Sequence, residues 1–255
     1  MKLEIIPEAL NRLKNPPKEL NFIGDTSLLS MPKVAVVGSR KASVYTKECV
    51  TALCAALKSA NVCVVSGGAI GVDITAHKAA MPRTIGVFAN GLDIIYPAQN
   101  RASIKEIYEK GLALSEYDYG EPPIAYRFLE RNRIVVGLAQ ALVVAQADLR
   151  SGSMQSARLA NELKIPLFVL PQRINESSGT NALLASKKAE IIDDYVKFAS
   201  LFGEVKEQKT DDDIVKFCKN GVSLDEALAK FGEIIYEYEL DGLVEISNLR
   251  VKSVL

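Results

Sequence analysis

The sequence predicts an α/β fold: a doubly wound, Rossmann-like parallel sheet with a small C-terminal winged-helix-like domain. Short apolar runs alternate with helical patterns through residues 33–203, which is typical of parallel strands covered by helices on both faces. A charged stretch follows, and then three short helical patterns and a hairpin pattern. We therefore assign 1–32 to a short N-terminal extension, 33–203 to the Rossmann-like domain, 204–212 to a linker and 213–255 to the winged-helix-like domain.

The elements follow from the alternation of these patterns along the chain. The N-terminal extension is polar and contains prolines, so we expect short helices and a turn there. The strands of the body are predicted at 34–37, 62–65, 84–89, 112–114, 141–145 and 167–170. Its helices are predicted at 46–59, 74–80, 103–110, 126–138, 153–163, 181–186 and 195–201. Because parallel strands are joined by crossovers, their carboxyl ends meet at one edge of the sheet, where ligands bind.

The C-terminal part has the patterns of a small separate domain. Helices are predicted at 212–219, 223–230 and 232–240, and a hairpin at 243–246 and 249–254. Ser223 and Glu226 have the spacing of a capping box, and Gly242 ends the third helix. Three helices followed by a β-hairpin predict a winged-helix domain.

Charge and composition restrict the function classes. The net charge is zero, but residues 206–255 hold seven Lys/Arg and eleven Asp/Glu, a net of −4, which leaves +4 for residues 1–205. One histidine and four cysteines without a C-x-x-C motif argue against a zinc site, and we expect no cofactor. Because the sequence has no secretory signal and no apolar run of about 18 residues, we expect a cytoplasmic protein with no membrane partner.

The most informative motif is a glycine turn between a predicted strand and a predicted helix. It comprises Ser66, Gly67, Gly68, Ala69 and Asp73, with a further glycine at position 71. Glycines allow a tight turn, and the N–H groups that open a helix attract an anion. The turn matches neither the dinucleotide G-x-G-x-x-G pattern nor a P-loop. By itself it predicts an anion site near a helix N-terminus.

Polar residues follow two other predicted strands. The first strand is followed by Gly38, Ser39 and Arg40, and another by Ser151-Gly152-Ser153. We favour a phosphate contact for Arg40 over a surface arginine that closes its loop, because guanidinium binds phosphate bidentately. Ser151-Gly152-Ser153 either binds an anion or caps the following helix.

Three further groups have open interpretations. Arg127, Phe128, Arg131, Asn132 and Arg133 share one predicted helix, where arginines beside an aromatic suit a single nucleic-acid strand. From spacing alone, a solvated helix with a buried phenylalanine is the stronger interpretation. Asp73 lies four residues before His77 on a predicted helix, so the two could form an acid–base couple. We favour the interpretation that Asp73 orients the turn and that His77 is a structural residue. Asp93, Tyr96 and Pro97 form either a base pocket or a turn.

Taken together, these motifs resemble the DprA/Smf family of DNA-processing proteins over residues 33–185. The pattern comprises V-V-G-S-R at 36–40, S-G-G-A-x-G-x-D-x-x-A-H at 66–77, G-L-D-x-x-Y-P-x-x-N at 91–100, S-E at 115–116, F-x-x-R-N-R-I at 128–134, S-G-S at 151–153 and S-G-T-N at 178–181. The resemblance implies a Rossmann-like core that binds single-stranded DNA, protects incoming DNA in natural transformation and helps to load the RecA recombinase. It further implies a homodimer that is not an enzyme.

The resemblance also implies which residues bind DNA. Arg40, Gly67 and Gly68 fall in the family's DNA-binding pocket, and Phe128 with the segment 131–133 lines the same region. This chain departs from the family in three ways. Its first 32 residues are too short for the N-terminal SAM-like domain of many members. Some relatives have a lysine three residues before the phenylalanine, where this chain has Ala125. Arg127 is the candidate substitute for that lysine. The usual Pro-Gly after the last core strand is Pro-Gln at 171–172.

These observations give one mechanism and two alternatives. Main-chain N–H groups of the glycine turn and Arg40 hold successive phosphates of a single strand, and Phe128 stacks on a base. The first alternative is a nucleotide-processing hydrolase with Asp73 or Glu116 as its acid or base, and the second is a nucleotide sensor. The C-terminal domain has an acidic third helix, with Glu233, Glu237 and Glu239, so we expect protein contacts or stability from it rather than DNA binding.

Overall fold

In this computed structural model the structure describes residues 1–204, 213–240 and 242–254. The chain divides into two compact units, Met1–Val205 and Lys206–Leu255. Among the described residues, no helix combines the length and the apolar character that a membrane span requires. The predicted linker lies outside the described residues, except for residue 204.

The first unit is built around a mostly parallel sheet, which confirms the predicted fold class. Its strands are β1 (Asn21–Gly24), β2 (Lys33–Val37), β3 (Cys63–Ser66), β4 (Thr84–Phe88), β5 (Leu112–Ser115), β6 (Ala141–Val144), β7 (Leu167–Val169) and β8 (Glu190–Ile191). Within the described residues of this unit the strand order is β1-β5-β4-β3-β2-β6-β7-β8, with β1 antiparallel to β5 and the other pairs parallel. The chain runs outward from β2 to β5 and returns to β6 beside β2, so the topological switch point lies between β2 and β6.

Helices cover both faces of this sheet. They are α1 (Val44–Ser59), α2 (Val72–Ala80), α3 (Arg101–Lys110), α4 (Ala125–Leu138), α5 (Gly152–Glu162), α6 (Ser178–Ala185) and α7 (Tyr195–Ser200). Successive side chains of a strand point to opposite faces. In β2, Val34 and Val36 therefore pack in one apolar layer with α1, α2 and α7, and Ala35 and Val37 pack in the other with α4 and α5. Burial of each such valine stabilises the fold by about 1.5–3 kcal/mol.

The N-terminal residues contain the expected short helices, as two 3₁₀ helices at Glu8–Arg12 and Thr26–Ser30, and between them an edge strand that was not predicted. β1 adds an antiparallel strand to the edge of the sheet, where Phe22 lies opposite Leu114. Leu10 and Leu20 are fully buried in the layer that contains α4. Arg12 donates hydrogen bonds to the carbonyl oxygens of residues 137 and 139 at the end of that helix. Within the described structure, residues 1–32 therefore pack as part of the first unit.

The second unit contains the helices and the hairpin expected from its sequence. It comprises α8 (Asp213–Cys218), β9 (Val222–Ser223), α9 (Leu224–Phe231), α10 (Ile234–Leu240), β10 (Val244–Ser247) and β11 (Arg250–Ser253). Its described strands pair antiparallel in the order β10-β11-β9, and the short β9 is an addition to the predicted hairpin. The capping box at the start of α9 is confirmed, since Ser223 and Glu226 bond each other's main-chain N–H groups. Winged-helix architecture stays a prediction.

Candidate nucleic-acid interface

A cleft of about 410 Å³ opens where the carboxyl ends of β2, β3 and β6 face the start of α5 and one side of α4. We call it the main cleft. It lies at the topological switch point, the usual ligand position in such sheets. Its lining residues are Val37, Gly38, Ser39, Arg40, Gly67, Ala69, Asp73, Ala125, Phe128, Leu129, Arg131, Asn132, Val135, Ala147, Asp148, Ser151, Gly152, Ser153 and Ser156. Twelve of the sixteen residues predicted for the site are among them.

The glycine turn is fastened to the loop that follows β2. The N–H of Val72 donates to the carbonyl of Ser39 at 3.2 Å, and Ser39 donates its own N–H to Gln146 at 2.8 Å. Gly71 has a φ of 84°, and a Cβ there would overlap the main chain at Ser39 and Arg40. A glycine is therefore required at position 71, because only glycine combines this φ with so close an approach.

Asp73 is buried against the glycine turn. Its Oδ2 accepts the N–H of Ala69 at 3.4 Å. Burial raises the pKa of Asp73, while Arg131, the N–H groups of Ala69 and Gly67, and Arg40 act in the opposite direction. Two N–H groups of the turn thus face a carboxylate of the protein itself. Those two N–H groups are already engaged, and the predicted contact between the main chain of the turn and phosphate stays a prediction.

Arg131 links α4 to the residues that follow β3 and to β4 at the base of the main cleft. Its side chain is almost fully enclosed, with the residue 4% exposed. Nη1 donates to the carbonyl oxygens of Gly67 and Val87, and Nε donates to Asn132 Oδ1 at 3.2 Å. Burial lowers the pKa of Arg131 to about 10. Its charge therefore offsets that of Asp73, and its hydrogen bonds tie α4 to the glycine turn.

Arg40 presents its guanidinium beside an aromatic ring. The residue is exposed, and its Cζ lies 5.6 Å from the centre of the Phe128 ring, within the range of a cation–π contact. The centre of the Tyr96 ring lies 5.7 Å from the centre of the Phe128 ring, with an interplanar angle of 46°. A cationic donor and a flat apolar surface therefore lie next to each other in the main cleft.

The start of α5 also lines the main cleft. Ser151 caps the helix, because its Oγ accepts the N–H of Met154 at 3.3 Å. The N–H groups of Gly152 and Ser153 belong to the first helical turn, where no intrahelical acceptor is available. Both residues line the main cleft. The capping interpretation of Ser151 is thus observed, and it leaves an electropositive helix end directed at the main cleft.

Comparison with known proteins identifies the family. The family described as DNA recombination-mediator protein A matches residues 2–203. The chain belongs to this family. The predicted resemblance to DprA/Smf proteins is therefore confirmed.

Three relatives illustrate the match. One solved structure concerns the single-stranded DNA binding mode of DNA processing protein A from Helicobacter pylori. Its sequence is 48% identical to this chain, and the match covers 79% of this chain and 94% of that one with a TM-score of 0.77. DprA from Streptococcus pneumoniae is 34% identical, with a TM-score of 0.74 over 80% and 74% of the two chains. Protein Smf of Escherichia coli K12 is 36% identical over 74% of this chain and 54% of its own length. The chain spans about half the length of the curated relatives it matches.

Four predicted site residues do not line the main cleft. Gly68 lies in a smaller cleft next to it. Ser66 is buried and donates its hydroxyl to the carbonyl of residue 36 at 2.6 Å. Arg127 pairs with Glu121 and stacks 4.4 Å from the ring of Tyr117. This placement gives no support to its role as substitute for the missing lysine, whose position, Ala125, does line the main cleft.

Arg133 is the fourth of these residues, and its position also bears on the hydrolase alternative. Its Nη2 lies 2.6 Å from both carboxylate oxygens of Glu116. Glu116 is thus held in an ion pair with Arg133 and does not line the main cleft. The physical reason is helical spacing, because Arg133 points away from the face that carries Phe128 and Arg131.

The remaining titratable candidates have structural partners. His77 is fully buried, and its Nδ1 lies 2.7 Å from the hydroxyl of Thr84. Burial lowers the pKa of His77 to about 3, with a further contribution from Arg131. Asp93 accepts the N–H of Gly120 at 3.0 Å. The four cysteines are buried and free, and in the described ranges no three His, Cys, Asp or Glu residues are grouped to hold a metal.

Sequence reasoning missed several residues of the main cleft. Asp148 is the most consequential, since it places an exposed carboxylate beside Ser151. It follows β6, so the rule that ligands bind at strand ends could have found it. Leu129 and Val135 also line the main cleft from α4. Leu129 is three residues from Asn132 and Val135 is four residues from Arg131, and these are the spacings that place residues on one face of a helix.

Proposed function

We propose that this chain binds single-stranded DNA in the main cleft. The observation that supports this most strongly is the convergence of Arg40, the first turn of α5 and the ring of Phe128 at the switch point of the sheet. Cationic and N–H donors suit phosphate, and an aromatic ring suits a base. The single-stranded DNA named for the Helicobacter pylori relative supports the same ligand.

Phosphate is held from two sides of the main cleft. Arg40 supplies a guanidinium, and the N–H groups of Gly152 and Ser153 supply an electropositive helix end. Asp73 supports the turn, since its charge is offset by Arg131. Asp148 opposes phosphate from the loop before α5, so the net attraction is modest. We therefore expect one chain to bind weakly and to depend on several contacts along the strand.

Phe128 supplies the base contact and with it the preference for single strands. A base that stacks on Phe128 gains about 1–3 kcal/mol relative to an alanine at that position. The ring is reached only by a base that has left its own stack, which costs a duplex its pairing energy. Single strands therefore bind more tightly than duplex of the same sequence.

Binding without catalysis is favoured over the hydrolase alternative. Asp73 faces N–H groups of the glycine turn, and Glu116 is held by Arg133. Neither carboxylate is thus presented in the way that a general acid or base requires. The nucleotide-sensor alternative shares the donors of the main cleft and predicts that a mononucleotide binds as tightly as an oligonucleotide.

The cellular role follows from membership in the family. We propose that the chain protects incoming DNA in natural transformation and promotes loading of the RecA recombinase, in the cytoplasm and as a homodimer. A dimer gains avidity, because a strand that spans two clefts binds the second at a high effective concentration. The exposed Val196 and Leu201, in and beside α7, make residues 195–201 our candidate for the dimer surface. For the acidic residues 213–255 we propose protein contacts.

The test is the binding of oligo-dT to the Arg40→Ala variant, measured by gel shift and fluorescence anisotropy. Loss of one charge-assisted phosphate contact is expected to weaken binding by about 1.5–3 kcal/mol. It should also make the slope of log affinity against log salt shallower by about 0.7–1. Arg173→Ala is the matched control, because that side chain is 85% exposed and does not line the main cleft. Equal binding by wild type and Arg40→Ala would refute the assignment, and equal affinity for thymidine monophosphate would favour the sensor.

A further inference from the structure

A second, smaller cleft adjoins the main cleft. It encloses about 140 Å³, and we call it the side cleft. The two clefts share Arg40, Gly67, Ala69 and Phe128 in their linings. Phe128 and Arg40 therefore form a wall between two neighbouring spaces. A strand that follows this surface meets both.

The lining that belongs to the side cleft alone is uncharged. Tyr96, which is 44% exposed, contributes an aromatic ring, and Ile70 contributes an exposed aliphatic side chain. Gln99 is exposed and supplies an amide that both donates and accepts hydrogen bonds. In the structure as described, no carboxylate lines the side cleft, whereas Asp73 and Asp148 line the main cleft. Such a lining suits a flat, neutral ring with a polar edge, which is the chemistry of a nucleobase.

The size of the side cleft restricts its occupant further. Clefts for drug-sized ligands enclose roughly 300–1,000 Å³. At about 140 Å³ the side cleft is too small for a whole nucleotide and large enough for one base. Sugar and phosphate would then remain outside, on the side of the shared Arg40.

We propose that the side cleft is a second base subsite, in which Tyr96 stacks on the base next to the one that Phe128 holds. This inference rests on the proposed binding of single-stranded DNA. The Tyr96 and Phe128 rings are inclined to each other by 46°, so two bases that follow them cannot stay stacked on one another. Consecutive bases are therefore splayed across Phe128, and Arg40 holds the phosphate between them.

The test compares wild type with Tyr96→Ala on two single strands of equal length. One is oligo-dT, and the other is the same strand with every second base removed. On oligo-dT both subsites are filled, so Tyr96→Ala should weaken binding by roughly 5- to 150-fold, the value of one stacked base. On the alternating abasic strand the remaining bases occupy the Phe128 subsite, so the substitution should change the affinity little. This dependence on the strand isolates the Tyr96–base contact from general effects on folding.

Two matched variants complete the test. Tyr96→Phe keeps the ring and is expected to bind both strands as wild type does. Tyr119→Ala removes an exposed tyrosine that lines neither cleft and is expected to leave both affinities unchanged. Equal losses on the two strands, or no loss on oligo-dT, would overturn the second subsite. If wild type binds neither strand, the proposed function itself fails, and that outcome is distinct from a failure of the subsite.

Discussion

The guanidinium of Arg40 lies 5.6 Å from the centre of the Phe128 ring, and these two residues come from different elements of the fold. Arg40 follows β2, and Phe128 lies in α4. Both residues line the main cleft, so the contact places the group proposed to hold phosphate beside the ring proposed to stack on a base. It also implies that an amine in place of the guanidinium would keep the charge and lose part of the arrangement.

The Arg40→Lys variant should therefore bind oligo-dT with an affinity between those of wild type and Arg40→Ala. A lysine retains the attraction to phosphate but stacks less well on the ring, which costs about 0.5–1 kcal/mol at an exposed site. Its salt dependence should match that of wild type, because the charge is unchanged. Fluorescence anisotropy at several salt concentrations measures both quantities. A variant with the affinity and the salt slope of Arg40→Ala would contradict a role for charge at this position.

Asp73 and Asp148 should respond differently to the same substitution. Asp73→Ala removes the acceptor of the Ala69 N–H and a negative charge near the buried Arg131, so we expect the free energy of unfolding to fall by about 1–3 kcal/mol. Asp148 is exposed, so Asp148→Ala should change stability by less than about 0.5 kcal/mol. The same change should tighten binding to oligo-dT, because it removes a negative charge from the main cleft. Urea denaturation and anisotropy measure the two effects. Equal stabilities of the two variants would show that Asp73 does not balance Arg131.

How far the fold could be predicted from the sequence depended on burial. The central strands β2, β3 and β6 are buried on both faces, so they read as continuous apolar runs. β1 is a four-residue antiparallel strand at the sheet edge, with a polar and a glycine residue at its ends. β8 has two residues, both exposed. Such edge strands carry no periodic signal, because only neighbouring main chain specifies them.

How far the site could be predicted depended on topology. The carboxyl ends of parallel strands meet at one edge, so Arg40, the glycine turn and Ser151 could be brought together from the sequence. The roles of the arginines in α4 could not be separated in that way. Arg131 and Arg133 lie two positions apart, yet one is buried beneath Gly67 and the other pairs with Glu116. Only tertiary packing decides which face of a helix is covered.

The main chain at Gly67 has no room for a side chain. A Cβ at this position would overlap the guanidinium of Arg131, which is fixed by its own hydrogen bonds to carbonyl oxygens. We expect Gly67→Ala to lower the free energy of unfolding by about 1–3 kcal/mol, the usual cost of overpacking. Gly152→Ala is the control, because its Cβ would have ordinary contacts of 3.6 Å or more. Thermal denaturation of both variants gives the comparison. A Gly67→Ala variant as stable as Gly152→Ala would mean that Arg131 is free to move.

His77 makes stability depend on pH, and it is the single histidine of the chain. Burial lowers its pKa from an unfolded value of 6.5 to about 3, so between these limits the unfolded chain binds a proton that the folded chain does not. The stabilisation is therefore complete above pH 6.5 and falls by about 1.4 kcal/mol per pH unit as the pH drops toward 3. The raised pKa of Asp73 changes the free energy of unfolding in the opposite direction, because protonation of that buried carboxyl favours the folded state at low pH.

A comparison of wild type with His77→Gln separates these two contributions. Asp73 is present in both proteins, so its effect largely cancels when the free energies of unfolding are subtracted at each pH. We expect the difference between the two proteins to be constant above pH 6.5. It should shrink by about 1.4 kcal/mol per unit below about pH 6, because the variant has no imidazole to protonate on unfolding. Urea denaturation at closely spaced pH values measures this slope. A difference that stays constant down to pH 5 would mean that the folded protein accepts a proton at His77 as readily as the unfolded chain does.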